Sequence, residues 1–520
     1  HENLNKYIVG ISDTITVKVG NTVLRKRFAN IGQNGEMVDL TIINNGNNSK
    51  YFYNYDTYGN ISRTILPPNS NGQSLQIDYK YDPVVHTYPT QVNNSLGYTS
   101  SAIYDYRWGK PIETTDIAGN KIKYTYDKQG RISTIRGPKE IASGQLYTIK
   151  YEYYNLPGSY IYWSRTSHYD PEHPTNDIKT VTFSDRLGRI LQIKKDIEIG
   201  GVEKRAISGR VIYDDFGRVI NQYQPKEEDV LIDDTIFNAS FSTYYTTTTY
   251  DVLDRPLQVT YPDMTTSQNA YGFGQDVNSI KRFKTITTDQ NGKQTTIYSD
   301  HRQLKTQITA ANNTSTQFEY DALGQLSNSI DPEGQPTSYE YDMMGRRTGR
   351  NHPSAGQTNW SYDQAGNLTK QTMSSGEEIS YNYNFNQLIN VSYLDKYWND
   401  VWYKYGGTGS GNQTGRLIKQ QDATGVQEFE YGNMGELIRN RHTYVVPNSE
   451  AFTFTTEWEY DSWNRVKQII YPDNETVTYS YNLGGLLKHV EGYKPNIGTT
   501  VYIEDITYDK YEQRTAVING

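Results

Sequence analysis

The sequence contains no cysteine, so disulfide cross-links and thiol chemistry are excluded. That absence leaves the compartment open, because a large β protein can be stable outside the cell without cross-links. No apolar run approaches the roughly 20 residues that a membrane helix needs. Hydrophobic residues are only 35% of the 520, and the mean hydropathy is −0.78. A formal charge of −8 is modest for this length and offers no basic stripe for nucleic acid. Phosphate-loop, dinucleotide, nucleophile-elbow, zincin and kinase signatures are all missing.

What is abundant is tyrosine: 48 residues, against 13 Phe and 7 Trp. A chain this polar would read as disordered without its tyrosines and β-branched residues, which form strands. Tyrosine joins a large apolar face to a polar tip, so it suits a surface that is partly wet. The composition therefore predicts a folded, nearly all-β chain with much amphipathic surface.

One phrase recurs. It reads EYDALGQL at 319–326, EYDMMGRR at 340–347, SYDQAGNL at 361–368 and YNYNFNQL at 381–388, with leading tyrosines Tyr320, Tyr341, Tyr362 and Tyr383 spaced by 21 residues. Such a period marks a repeat architecture. Less regular copies supply Tyr55, Asp56 and Gly59; Tyr126, Asp127 and Gly130; Tyr213, Asp214 and Gly217; and Tyr460 with Asp461. In the regular block the same places are held by Asp321 and Gly324, Asp342 and Gly345, and Asp363 and Gly366.

The phrase has a physical grammar. Two tyrosines at i and i+2 share a strand face. Aspartate opens a turn by accepting backbone N–H groups, and glycine three residues later supplies positive φ, a place Asn464 takes in one copy. A second turn falls about half a period on: DIAG at 116–119, DQNG at 289–292, DPEG at 331–334 and DATG at 422–425. Two turns and two short strands fill the period, so each repeat is a β-hairpin and successive hairpins form an antiparallel meander. A tyrosine on each strand is expected to build aromatic ladders. Strands twist, so a ribbon this long has to coil, and with few large aliphatic side chains to fill it, a hollow spiral is the expected outcome.

Residues 1–50 carry β patterning without the repeat and read as a lead-in, a plug or the tail of a preceding domain. The shell is assigned to 51–520 and expected to continue past it, since the chain opens at His1 rather than Met and reads as an interior piece. The acidic run KEEDVLIDD (226–234) reads as a solvated loop, and 136–180 breaks the period.

Chemistry is scarce. The tightest titratable cluster, SHYDPEHP (167–174), brings His168, Asp170, Glu172 and His173 together as a metal set would. With two prolines and a Tyr-Asp of its own, it reads better as a repeat turn carrying surface histidines. The glycines of 406–415 read as a loop. The repeated aspartates suggest calcium loops or paired carboxylates, yet their fixed place before x-x-Gly favours turns. The repeated tyrosines are read as ladder residues before sugar contacts. No catalytic, metal or cofactor site is assigned, and no enzyme activity is expected.

The Y-x-Y-D-x-x-G-R-L phrase with its half-way D-P-x-G turn resembles the YD repeat, or RHS repeat. The chain resembles the shell of RHS-repeat proteins and of the B and C components of bacterial toxin complexes, and teneurins carry a similar barrel. The resemblance covers most of 51–520, and residues 1–50 with YDYRWGKPIETTDIAGNK (104–121) look most like the B type. It implies a hollow cocoon enclosing a C-terminal toxic polypeptide in cis, with export machinery or toxin-complex subunits as further partners and a secreted or bacterial cell-surface setting. It also implies self-cleavage near a DPxG-type motif, for which the mid-shell DPEG at 331–334 is not a candidate. The alternative is a surface adhesion or carbohydrate-binding protein, and a glycan-acting enzyme comes third.

Overall fold

The computed structural model describes residues 8–154, 160–240, 243–394, 396–446 and 449–520. Among them are 43 strands and a single short α-helix, Pro138–Ser143, so the chain is a β meander almost throughout. The helix has proline in its first turn and ends on Gly144 at φ +83°, a left-handed stop.

Except at one interruption, each strand pairs antiparallel with the next in sequence. In the regular block Ser315–Tyr320 pairs with Leu326–Ile330, that strand with Pro336–Tyr341, and that with Arg347–His352. The register shifts by one residue at each Tyr-Asp tyrosine, as between Glu319 and Tyr320 and between Glu340 and Tyr341. A bulge at every second turn adds twist, which helps a long ribbon coil. The lead-in strands Thr14–Val19, Thr22–Ile31 and Met37–Ile42 join the same sheet as Ser49–Tyr55, with no break in pairing near residue 50.

The ribbon is interrupted once. Seventeen strands form the first sheet and 26 the second. Between them, the chain starts the second sheet at Val211–Tyr213 and Val219–Tyr223, then returns to lay Lys226–Asp229 along Val202–Ile207 of the first. The acidic run is thus only in part a solvated loop: 226–229 is a strand, and the exposed turn after it ends on a buried acid. Its Glu228 is 5% exposed and bonds the fully buried Lys194 at 2.6 Å, while Asp234 takes Arg165 at 3.0 Å. The acids are tolerated inside because each meets a cation.

The spiral shows in its long-range contacts. Asn44 meets Asp342, Asn69 meets Phe385, Tyr98 meets Gly406, Asp170 meets Arg465 and Glu198 meets Lys488. The partners in these contacts between windings lie between 285 and 322 residues apart. One winding therefore takes about 300 residues, and the second lies turn-to-turn on the first along a seam. Half-way turns of the first winding face Tyr-Asp turns of the second. There is no continuous apolar core. The densest cluster is Ile178, Val181, Phe183, Ile197 and Ile207, each at most 3% exposed, next to the interruption. The result is a hollow β shell rather than a packed barrel.

Candidate functional site

The repeated unit is the feature on which function has to be built. In the turn at Asp342, its backbone N–H donates to the carbonyl of Arg346, and the Gly345 N–H donates to that of Asp342, both at 3.0 Å. The carboxylate accepts the N–H groups of Met344 and Arg346 at 2.9 Å through Oδ1, and Arg346 Nε at 2.7 Å through Oδ2. Gly345 sits at φ +85°, and Asn464 fills the equivalent place at +61°. Asp254, at φ +62°, fills it in a third variant.

The arginine then reaches forward. The Arg346 guanidinium lies 4.7 Å from the ring centre of Tyr362, and the Tyr362 hydroxyl donates to the carbonyl of Arg347 at 2.9 Å. The aspartate aims the arginine, the arginine covers the next tyrosine, and that tyrosine ties back to the strand the arginine begins. The same circuit links Asp127, Arg131 and Tyr153, closing on the Ile132 carbonyl at 3.0 Å. It links Asp214, Arg218 and Tyr250, closing on Val219 at 2.7 Å. It also links Asp461, Arg465 and Tyr481, closing on Val466 at 2.7 Å.

The other tyrosines make the closing bond too: Tyr55 to Met37, Tyr126 to Pro111, Tyr213 to Ile190, Tyr320 to Lys305 and Tyr341 to Leu326, all within 3.0 Å. Asp56, Asp321 and Asp363 hold the backbone N–H four residues on. Gly59, Gly130, Gly217, Gly324 and Gly366 close their turns by donating to the aspartate carbonyl. For Tyr460 the notable contact is its own carbonyl, which accepts Lys139 of the first winding at 2.6 Å.

The electrostatics fit a structural role. At Asp127, Asp185 and Asp214 partial burial pushes the carboxyl up, but the backbone N–H and arginine bonds more than reverse it and leave each below its ordinary value. Burial pushes Tyr55, Tyr126, Tyr320, Tyr362 and Tyr460 up, so they stay protonated donors. At Asp127, Asp185, Asp214, Asp342 and Asp461 both carboxylate oxygens are engaged within the wall.

The expected tyrosine ladders do not form along the repeat. The cross-strand partner of Tyr320 is Leu326, and that of Tyr362 is Leu368. Tyr-Asp tyrosines fall on every second strand, about 9–10 Å apart, so arginine bridges them instead. Sequence reasoning missed this arginine as a site residue, although D-x-x-G-R is spelled out in DKQGR, DRLGR, DDFGR and DMMGR.

The histidine segment also differs from expectation. Asp170 is fully buried and accepts His173 Nδ1–H at 2.8 Å and Arg465 of the second winding at 2.7 Å. His168 is largely covered by Trp463 and burial pushes its pKa down. These are seam residues rather than surface histidines. Among the described residues no three His, Asp or Glu come together as a metal-holding group.

Comparisons agree with the repeat. The RHS Repeat family model matches residues 298–335 and 320–357. No curated protein matches. The chain thus carries RHS repeats over 298–357 and shares its fold with solved TcdB2-TccC3 structures. It superposes on the TcdB2-TccC3 crystal structure with a TM-score of 0.78 over 96% of its length at 18% identity, covering 31% of that chain. Against the Tc holotoxin pore of Photorhabdus luminescens the values are 0.79, 96%, 16% and 33%. A TcdB2-TccC3 structure without the hypervariable C-terminal region gives 0.79, 96%, 16% and 33%. The chain thus spans about a third of the solved chains it matches.

Proposed function

We propose that this chain is part of the wall of a toxin-complex-like capsule that encloses a C-terminal polypeptide, and that it acts as a container rather than a catalyst. The observation that carries the reading is the two-winding hollow spiral whose polar groups are spent on one another. Its likeness to TcdB2-TccC3, solved with and without a hypervariable C-terminal region, supports an enclosed cargo carried in cis. The likeness to a holotoxin pore supports further toxin-complex subunits as partners and a secreted setting. Among the described residues no helix is long and apolar enough to cross a membrane.

Limited proteolysis of the natural full-length product tests this. A C-terminal fragment that survives in the intact particle, but is digested when isolated, is the expected result. Equal digestion rates would overturn enclosure. The adhesion reading predicts instead that the intact chain binds a glycan array and that Tyr-to-Ala variants at exposed rings lose the signal.

A further inference from the structure

The seam between windings is built from two different chemistries. From residue 44 to 120, neutral groups of the first winding reach the second. Asn47 Nδ2 donates to the Tyr362 carbonyl at 2.9 Å, Ser49 Oγ to Gln364 at 2.6 Å and Asn69 Nδ2 to Phe385 at 3.0 Å. Gln73 Oε1 accepts the Phe385 N–H at 2.9 Å, Tyr98 donates to Gly406 at 3.1 Å and Asn120 meets Asn412 at 3.1 Å. Two carboxylates take part, Asp342 with Asn44 and Asp363 with the Ser70 N–H, and their partners are uncharged. Among the described residues no Lys or Arg pairs with an acid across this half.

From residue 139 to 198 the seam is ionic. Lys139 meets Glu436 at 3.1 Å, Arg465 meets Asp170 at 2.7 Å, Lys488 meets Glu198 at 2.6 Å, and Lys195 meets Glu512. The acids are covered: the side chains of Asp170, Glu436 and Glu198 are 0%, 4% and 8% exposed. Glu172 and Glu198 also accept the N–H groups of Tyr481 and Leu483 at 2.9 and 3.2 Å. Neutralising one of these covered carboxylates is costly because it leaves a seam cation without its counter-charge, most of all Arg465, which is 10% exposed.

We propose that the wall opens along this seam on one side only: neutralising Asp170, Glu198 and Glu436 parts the ionic half, while the amide half stays closed and serves as the hinge. Removing charge from the three acids leaves Arg465, Lys488 and Lys139 positive and without a counter-charge across the contact. The other titratable groups at the contact are His168 on Trp463, His173 on Asp170, Asp461 on Arg465 at 2.6 Å, and Asp177 near His168. In the amide half the two carboxylates, Asp342 and Asp363, meet only uncharged donors across the seam, so no seam cation depends on them.

Hydrogen exchange read by mass spectrometry on the full chain at pH 7 tests this with Asp170→Asn combined with Glu198→Gln. Exchange in turns 461–465 and 482–486 should rise about tenfold or more, what loss of one charged hydrogen bond allows, with turns 342–346 and 363–367 changing less than about threefold. Lys488→Gln, which leaves Asp170 intact, should raise exchange at 482–486 alone and covers the case in which the double variant fails to fold. Equal change in both halves, opening of the amide half first, or no change in either variant would overturn the proposal.

Discussion

The regular ribbon at 298–388 and the irregular stretch at 136–240 are stabilised in opposite ways. In the ribbon the aspartate turns repeat the same backbone bonds, and Tyr320, Tyr341 and Tyr362 repeat the same closing hydroxyl bond. The arginine circuit is complete there at Asp342, and few side chains are fully buried. In the irregular stretch the period fails, yet the best-packed apolar cluster and the buried Lys194–Glu228 pair are found there. Repeats spread stability over many small local bonds, so no single position dominates. Where the chain must leave one sheet and start another, stability is concentrated into one dense knot.

Glu228→Ala gives the sharpest test of that contrast. It leaves Lys194 buried without a partner, and breaking such a pair costs about 3–5 kcal/mol. Exchange protection should collapse across strands Ile190–Ile199 and Val202–Ile207, and Glu228→Gln combined with Lys194→Met should recover most of it. An effect no larger than that of a single repeat tyrosine would remove the distinction between the two regions. Gly345→Val comes next. It forces a β-branched residue to φ +85°, where its Cβ would also lie 2.8 Å from Arg25 Nη2, and should cost about 1–3 kcal/mol, confined to neighbouring hairpins.

Tyr341→Phe removes one hydroxyl bond to Leu326 and should cost about 0.5–1.5 kcal/mol, seen as faster exchange in Leu326–Ile330 with the rest of the ribbon unchanged. The smallest effect is with pH. The carboxyls of Asp127, Asp185 and Asp214 lie below their ordinary value when folded, so they stabilise above the unfolded pKa of about 3.9 and that contribution is lost as pH falls through the lower folded pKa. Melting temperature should be flat from pH 7 to about 5 and fall below about 4. A fall beginning near pH 6 would assign control to histidines instead.

The ribbon was readable because its rules are local. Asp and Gly in D-x-x-G act within five residues, and the tyrosine pattern places strand faces directly. The arginine–tyrosine circuit was only half legible, since it crosses to the next repeat and depends on the bulge at each tyrosine. The seam was not legible at all. Nothing local pairs Asp170 with Arg465, 295 residues on, because that contact is set by the circumference of the spiral. A trace of it does exist: the first-winding half-way turns open with Asn44, Asn69 and Asn94, where the regular block uses Asp331. The first two of those asparagines are donors into the seam. KEEDVLIDD misled for the same reason, since its cations Lys194 and Arg165 come from strands far back in the chain.

Electron cryomicroscopy of the natural full-length product tests the central claim most directly. The account predicts density inside the windings that is not part of the wall and that disappears when the C-terminal region is deleted, with the wall unchanged. An empty interior in the full-length particle would contradict it.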